Sequence, residues 1–145
     1  MKRQIVGLNA AVGDRILIPD GAYLVRVGGA KYRWDSKKPF LELRLEVLKP
    51  LTSANTRIVG RVYCTPKALW KLNWFLREFE YDRDLFDRNE IDEKSILGLV
   101  GIVRICHRIF VGRSFLNLEG FANKSEWNET DSDRTNVGDN AGIRP

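Results

Sequence analysis

The sequence predicts a mainly β fold of five strands and one helix, in the order β-β-β-α-β-β. Three observations carry this. Apolar residues recur with a period of two, or in short apolar runs bounded by turn signals, in five segments. The period becomes helical once, over residues 66–80, between the third and fourth of these segments. The chain has 145 residues, 43% of them hydrophobic, enough for one domain with a real core and too few for two ordinary ones.

Taken in order, Ile16-Leu17-Ile18 before Pro19-Asp20-Gly21 reads as a short extended lead-in closed by a turn. Residues 22–28 (AYLVRVG) form the first strand, with Tyr23, Val25 and Val27 on one face and Leu24 and Arg26 on the other. The polar segment that follows, GGAKYRWDSKKP, reads as a loop. Residues 40–48 (FLELRLEVL) are the clearest strand: Leu41, Leu43, Leu45 and Val47 alternate with Phe40, Glu42, Arg44 and Glu46. Residues 49–55 are a loop. Residues 56–64 (TRIVGRVYC) are the third strand, with Ile58, Val62 and Cys64 opposite Arg57, Val59, Arg61 and Tyr63. Thr65-Pro66 then supplies a hydroxyl N-cap and a proline at the first helical position. The helix 66–80 carries an apolar stripe of Leu69, Leu72, Leu76 and Phe79; Trp70 and Trp74, beside it at i and i+4, read as cover for the core. The acidic stretch after it extends the helix briefly and then turns. Residues 99–110 and 114–122 make the last two strands, with Gly112-Arg113 as the turn between them.

This element order is that of the OB-fold, a five-stranded Greek-key barrel. In it the helix lies between strands three and four and plugs one end. Another five-stranded α+β sandwich is the alternative. Residues 1–124 are expected to form the domain. Residues 125–145 form a flexible polar tail, and disorder is expected from Asn123 onward because apolar content almost vanishes there.

The formal net charge of +5 is unevenly placed. Residues 1–77 hold 15 Lys/Arg against 5 Asp/Glu, whereas residues 78–93 hold 2 against 8. Residues 94–124 are basic again and residues 125–145 mildly acidic. A basic body of this kind points to a polyanionic partner.

Several function classes are excluded as expectations. No apolar run approaches the roughly 18–20 residues that span a bilayer. The N-terminus has no apolar stretch of the signal-peptide kind. Two cysteines, Cys64 and Cys106, without CxxC spacing argue against a disulfide framework or a zinc ribbon and fit a reducing cytoplasm. No phosphate loop, dinucleotide fingerprint, GxSxG or HExxH is present, so no enzyme and no cofactor is expected. The single histidine, His107, has no carboxylate beside it in sequence and reads as a strand residue. Both cysteines read as inert strand thiols. The carboxylates of Asp82, Asp84, Asp87, Glu90, Asp92 and Glu93 lack the register of a calcium loop and read as a solvated surface. The glycosylation-type matches at Asn123 and Asn128 read as chance.

The informative segment is residues 31–38, KYRWDSKK. Lys31, Arg33, Lys37 and Lys38 are interleaved there with Tyr32 and Trp34. Single-stranded nucleic acid needs cations for its phosphates and flat rings for its unstacked bases. In an OB-fold this loop flanks the binding face. Outward strand positions add Arg26, Phe40, Arg44, Arg57, Arg61 and Tyr63. The last hairpin adds Arg108, Phe110, Arg113 and Phe115 at the other flank.

The runs IPDGAYLVRV, PFLELRLEVL, GRVYCTPKALWKLNWFLREF, ILGLVGIVRICHRI and FLNLEGF together resemble the phage-associated family DUF669. The likeness spans about residues 18–122. It rests on Gly21, Tyr23, Leu41, Leu43, Ala68, Leu69, Trp70, Leu72, Gly98, Gly101, Asn117, Gly120 and Phe121, which are mostly core and turn positions. The resemblance implies an OB-fold single-stranded DNA-binding protein encoded beside replication and recombination genes. The tail departs from that pattern: it ends AGIRP, without the acidic, apolar-tipped terminus by which many single-strand binders recruit partners.

The function expected is therefore sequence-tolerant binding of single-stranded DNA. Lys31, Arg33, Lys37, Lys38, Arg44, Arg57, Arg61 and Arg108 would neutralise phosphates. Tyr32, Trp34, Phe40, Tyr63 and Phe115 would stack bases. RNA is the alternative polymer. The alternative function is an accessory module that docks on a recombinase, helicase or polymerase through the acidic insert 78–93. A homo-oligomer is consistent with a single OB unit, and edge-strand pairing is one route to it.

Overall fold

Alternation along five segments gives five strands, each with one face apolar enough to bury. The computed structural model describes residues 1–5 and 18–128, with backbone alone at Phe110 and Arg113. Ile16, Leu17 and the tail from residue 129 lie outside the described residues; Ile18 is buried. The strands are β1 (Gly21–Asp35), β2 (Lys38–Lys49), β3 (Arg57–Tyr63), β4 (Val100–Phe110) and β5 (Arg113–Asn123). They form one antiparallel sheet in the order β3-β2-β1-β4-β5.

β1 organises the sheet. Its first part, Gly21–Arg26, pairs with β4, and the stretch from Leu24 to Asp35 pairs with β2. Register shifts at Leu24/Val25 and at Val27/Gly29 let one strand serve two neighbours in different directions. No ladder joins β3 to β5 among the described residues, yet the two approach closely. A Cβ built on Gly60 of β3 would stand 2.6 Å from Leu118 Cγ of β5, so only glycine admits that contact.

One face of the sheet supplies the core: Val25, Val27, Leu41, Leu43, Leu45, Val47, Ile58 and Val62 are all at most 1% exposed. Burial of each such side chain contributes roughly 1.5–3 kcal/mol. Helix α1 (Leu69–Glu78) closes over it, with Leu72, Phe75 and Leu76 buried and Phe79 buried at its C-cap. Phe75 lies 4.6 Å from Phe79 and 5.3 Å from Phe121, ring centre to ring centre. A Cβ on Gly101 would sit 2.6 Å from the Phe79 ring, which fixes how near helix and sheet come.

Two details of the helix differ from expectation. It begins at Leu69 with Ala68 at the N-cap, not at Pro66 with Thr65. Thr65–Ala68 instead form a turn closed by Ala68 N–H donating to the Thr65 carbonyl at 2.9 Å. The buried stripe contains Phe75, and Leu69 is 46% exposed.

The acidic stretch makes two short helices rather than an extension of α1: α2 (Arg83–Asp87) and α3 (Glu93–Ile96). Acidic residues start both. Asp82 Oδ1 accepts from Leu85 N–H at 3.0 Å, and Asp92 accepts from Lys94 N–H and from the Ser95 hydroxyl, each at 3.1 Å. The Tyr81 hydroxyl ties the segment together, donating to the Glu90 carbonyl at 2.8 Å and accepting from Asp92 N–H at 2.9 Å.

The domain also runs past the expected onset of disorder. Asn123 ends β5, and Lys124–Glu126 form a 3-10 turn. The Asn123 amide donates to the Glu78 carbonyl at 3.1 Å and to Glu80 Oε2 at 2.7 Å. That side chain is engaged in the fold.

Candidate nucleic-acid interface

β1 loses β4 as a neighbour at Arg26↔Val100, and the Val27 peptide is held by Leu99 and Gly98 at 2.9 and 2.8 Å. Beyond that point β2 is its one strand partner among the described residues. Residues 31–38, expected as a loop, are therefore a two-stranded arm, and all eight are exposed. The pairing continues through Tyr32↔Leu41, Arg33↔Phe40, Trp34↔Pro39 and Asp35↔Lys38. Ser36 and Lys37, at φ 48° and 72°, make the two-residue turn with the twist that hairpins favour.

The strand geometry sorts what the sequence interleaves. Lys31 and Arg33 lie on one face of the arm and Tyr32 and Trp34 on the other. Trp34 is 65% exposed and Tyr32 46%, their rings edge to face at 6.2 Å. Glu93 of α3 supports the arm from the side, its Oε2 accepting from Tyr32 N–H at 2.6 Å. The acidic insert thus touches the basic arm, a contact between residues 61 apart that sequence reading missed.

The outward face of β2 and β3 is more self-contained than expected. Phe40 is only 3% exposed. Its ring lies 5.5 Å from Tyr63, and the Arg61 guanidinium covers it at 4.2 Å. Arg61 also donates to Asp35 Oδ2 at 2.9 Å and to the Tyr63 hydroxyl at 3.1 Å. The hydrogen bonds to Tyr63 and then Asp35 hold its proton more tightly than usual. Phe40 is therefore enclosed and does not offer its ring to a base. Arg33 pairs with Glu42 at 2.9 Å, Arg26 with Glu46 at 2.9 Å, and Arg44 reaches Glu42 only at 4.0 Å. Such exposed pairs are worth about 0–1 kcal/mol and exchange readily for a phosphate. Lys31, Lys37, Lys38 and Arg57 have no carboxylate partner among the described residues.

The third group stands apart. β4 and β5 meet at Val111-Gly112, with φ 54° and 75°, one residue earlier than the expected turn. Arg108 pairs with Phe115 across the hairpin, both exposed, and Ile109 and Val111 are each 80% exposed. Phe110 pairs with Arg113, and their side chains lie outside the described residues. Because β2 and β4 pair with opposite ends of β1, the two hairpins leave it in opposite directions. The fold joins the arm to the β2–β3 face, through Asp35–Arg61, and sets the last hairpin at the other end.

His107 does have a carboxylate partner, from 87 residues away: Asp20 Oδ1 accepts from its backbone N–H at 2.9 Å and lies 2.6 Å from Nδ1. The pair clips the entry of β1 to β4. Cys64 and Cys106 are free and half-buried; burial raises the Cys64 thiol above its ordinary range. Among the described residues no group of three His, Cys, Asp or Glu side chains stands ready to hold a metal, and no helix is long and apolar enough to cross a membrane.

No protein-family model matches the chain, and no curated protein matches it.

Proposed function

We propose that this protein is a sequence-tolerant single-stranded DNA-binding protein of the OB-fold class, of phage or mobile-element type, acting without catalysis in replication or recombination. The OB reading is supported by the sheet order, by β1 serving both halves of the sheet, by the Gly60–Leu118 approach of β3 to β5, and by the position of α1 between β3 and β4. The resemblance to DUF669 points the same way.

The observation that carries the functional reading is the arm. Two exposed aromatic rings and four cations stand on a hairpin that projects past the β4 ladder. Trp34 meets Tyr32 edge to face and leaves most of its ring in solvent, where a stacked base contributes roughly 1–3 kcal/mol. Lys31, Arg33, Lys37 and Lys38 on the arm, with Arg44, Arg57 and Arg61 on the adjoining face, then neutralise phosphates by displacing carboxylates or condensed counterions. Oligo-dT added to the purified protein is expected to quench tryptophan fluorescence. Trp34→Ala should weaken binding at least about fivefold, the lower end of one stacked base. Unchanged affinity in that variant would remove the arm from the interface.

A second reading is favoured by Ile91, 38% exposed on the acidic insert, and by Leu97, 49% exposed four residues beyond its end. They suit docking on a basic partner protein of the replication or recombination machinery. Reversing Asp84 and Asp87 tests it, because these acids, unlike Asp82, cap no helix. Loss of partner capture with oligo-dT binding intact would favour docking.

A further inference from the structure

Helix α1 presents an aromatic surface that the arm and sheet face do not use. Of its two tryptophans, only Trp74 covers the core. Its indole meets Phe121 edge-on at 5.6 Å, and a Cβ on Gly120 would stand 3.0 Å from it. Trp70 is 62% exposed and lies stacked on Trp74, ring centres 6.1 Å apart and planes 25° apart. Leu69, Asn73 and Arg77 complete an open groove of about 550 Å³. Arg77 Nε donates to Asn73 Oδ1 at 2.6 Å, which ties the guanidinium to the groove wall.

A rigidly backed, flat indole selects a planar ring. The charge along the helix favours an anion: Lys67, Lys71 and Arg77 are the charged residues from 67 to 77, and the acids nearest them are Glu78 at the helix end and Glu119 of β5, which lies near Lys71. Planar ring and negative charge are combined in one repeating unit by an unstacked nucleotide. Five residues separate Tyr63 from Leu69, so at most about 20 Å of chain lies between the β2–β3 face and this groove. α1 packs on the core side and Tyr63 faces outward, but β3 is an edge of the sheet, so a strand crossing Tyr63 passes round that edge to reach the groove.

We propose that Trp70, backed by Trp74 and flanked by Arg77, is a second base-stacking site for single-stranded nucleic acid, separate from the arm. The inference rests on the proposed single-strand-binding function. The test measures oligo-dT affinity for the full chain and for Trp70→Ala, Trp70→Phe and Arg77→Ala, and follows the Trp70 indole N–H signal by NMR. The expected result is a loss of at least about fivefold in Trp70→Ala, partial recovery in Trp70→Phe, and an indole signal that moves on titration even in Trp34→Ala. If oligo-dT binds but Trp70→Ala matches the parent and the signal stays still, the platform serves another ligand, such as a protein partner. This proposal then fails while the arm reading stands. If the intact chain binds no oligo-dT, both fall. Should Trp70→Ala fail to fold, Arg77→Ala decides: weaker binding supports the site and unchanged affinity overturns it.

Discussion

Tyr23 ties a buried position on β1 to a pH dependence of the whole domain. Its side chain is 5% exposed, and its hydroxyl donates to the Pro19 carbonyl at 2.7 Å. Burial first, and the nearby Asp20 charge second, push its pKa up to about 12. The folded state therefore holds this proton more tightly than the unfolded chain, where tyrosine titrates near 10. The stabilisation is complete below pH 10 and is lost as pH rises from there through about 12. Denaturant unfolding across that window should show a steep fall in stability for the parent and a shallower one for Tyr23→Phe. Parallel curves would mean that Tyr23 ionises freely. At the same scale, burial separates residues that look equivalent in sequence. Phe40 and Trp34 are both aromatics among cations, yet Phe40 is closed off under Arg61 and Trp34 stands open.

At the scale of elements, the arm and the last hairpin show what sequence reading captured and where it stopped. The alternation in FLELRLEVL depends on nearest neighbours alone, and β2 appears almost where expected. The loop assigned to KYRWDSKK is strand on both sides of a two-residue turn. Its own signal was present, since K-Y-R-W already alternates with period two. Gly28-Gly29 obscured it by reading as a break, when the pair marks a register shift inside a continuous strand. The helix start was misplaced because Thr65-Pro66 has the composition of a cap while the first turn there closes separately. The supports from Glu93 to Tyr32 and from Asp20 to His107 were invisible, because they join residues 61 and 87 positions apart. Val111 offers a check on the hairpin geometry. It is β-branched and sits at φ 54°, a left-handed conformation that costs such a residue roughly 1–2 kcal/mol. Val111→Asn creates the Asn-Gly pair that this turn prefers. Its unfolding midpoint should rise by an amount equivalent to about 1 kcal/mol; a fall would contradict the turn conformation.

At the scale of the whole molecule, charge segregation and topology meet. The basic majority lies in the segment that builds β1, β2, β3 and α1, whereas the acidic insert holds α2 and the capped start of α3, whose Glu93 meets the arm at Tyr32. Sequence pattern anticipated a mainly β fold with five strands and an intervening helix, and this is observed. The approach of β3 to β5 was beyond its reach, since it depends on Gly60 facing Leu118 across the molecule. The proposed function is single-strand binding by stacking on the arm's rings together with phosphate neutralisation by its cations. Its most direct test is a titration of the intact protein with oligo-dT and with duplex DNA of equal charge, at several salt concentrations. Oligo-dT is expected to bind more tightly than duplex at every salt, with log affinity falling against log salt at a slope of roughly −3 to −5, as four to seven neutralised phosphates require. Equal affinity for the two polymers, or no binding of oligo-dT at low salt, would contradict it.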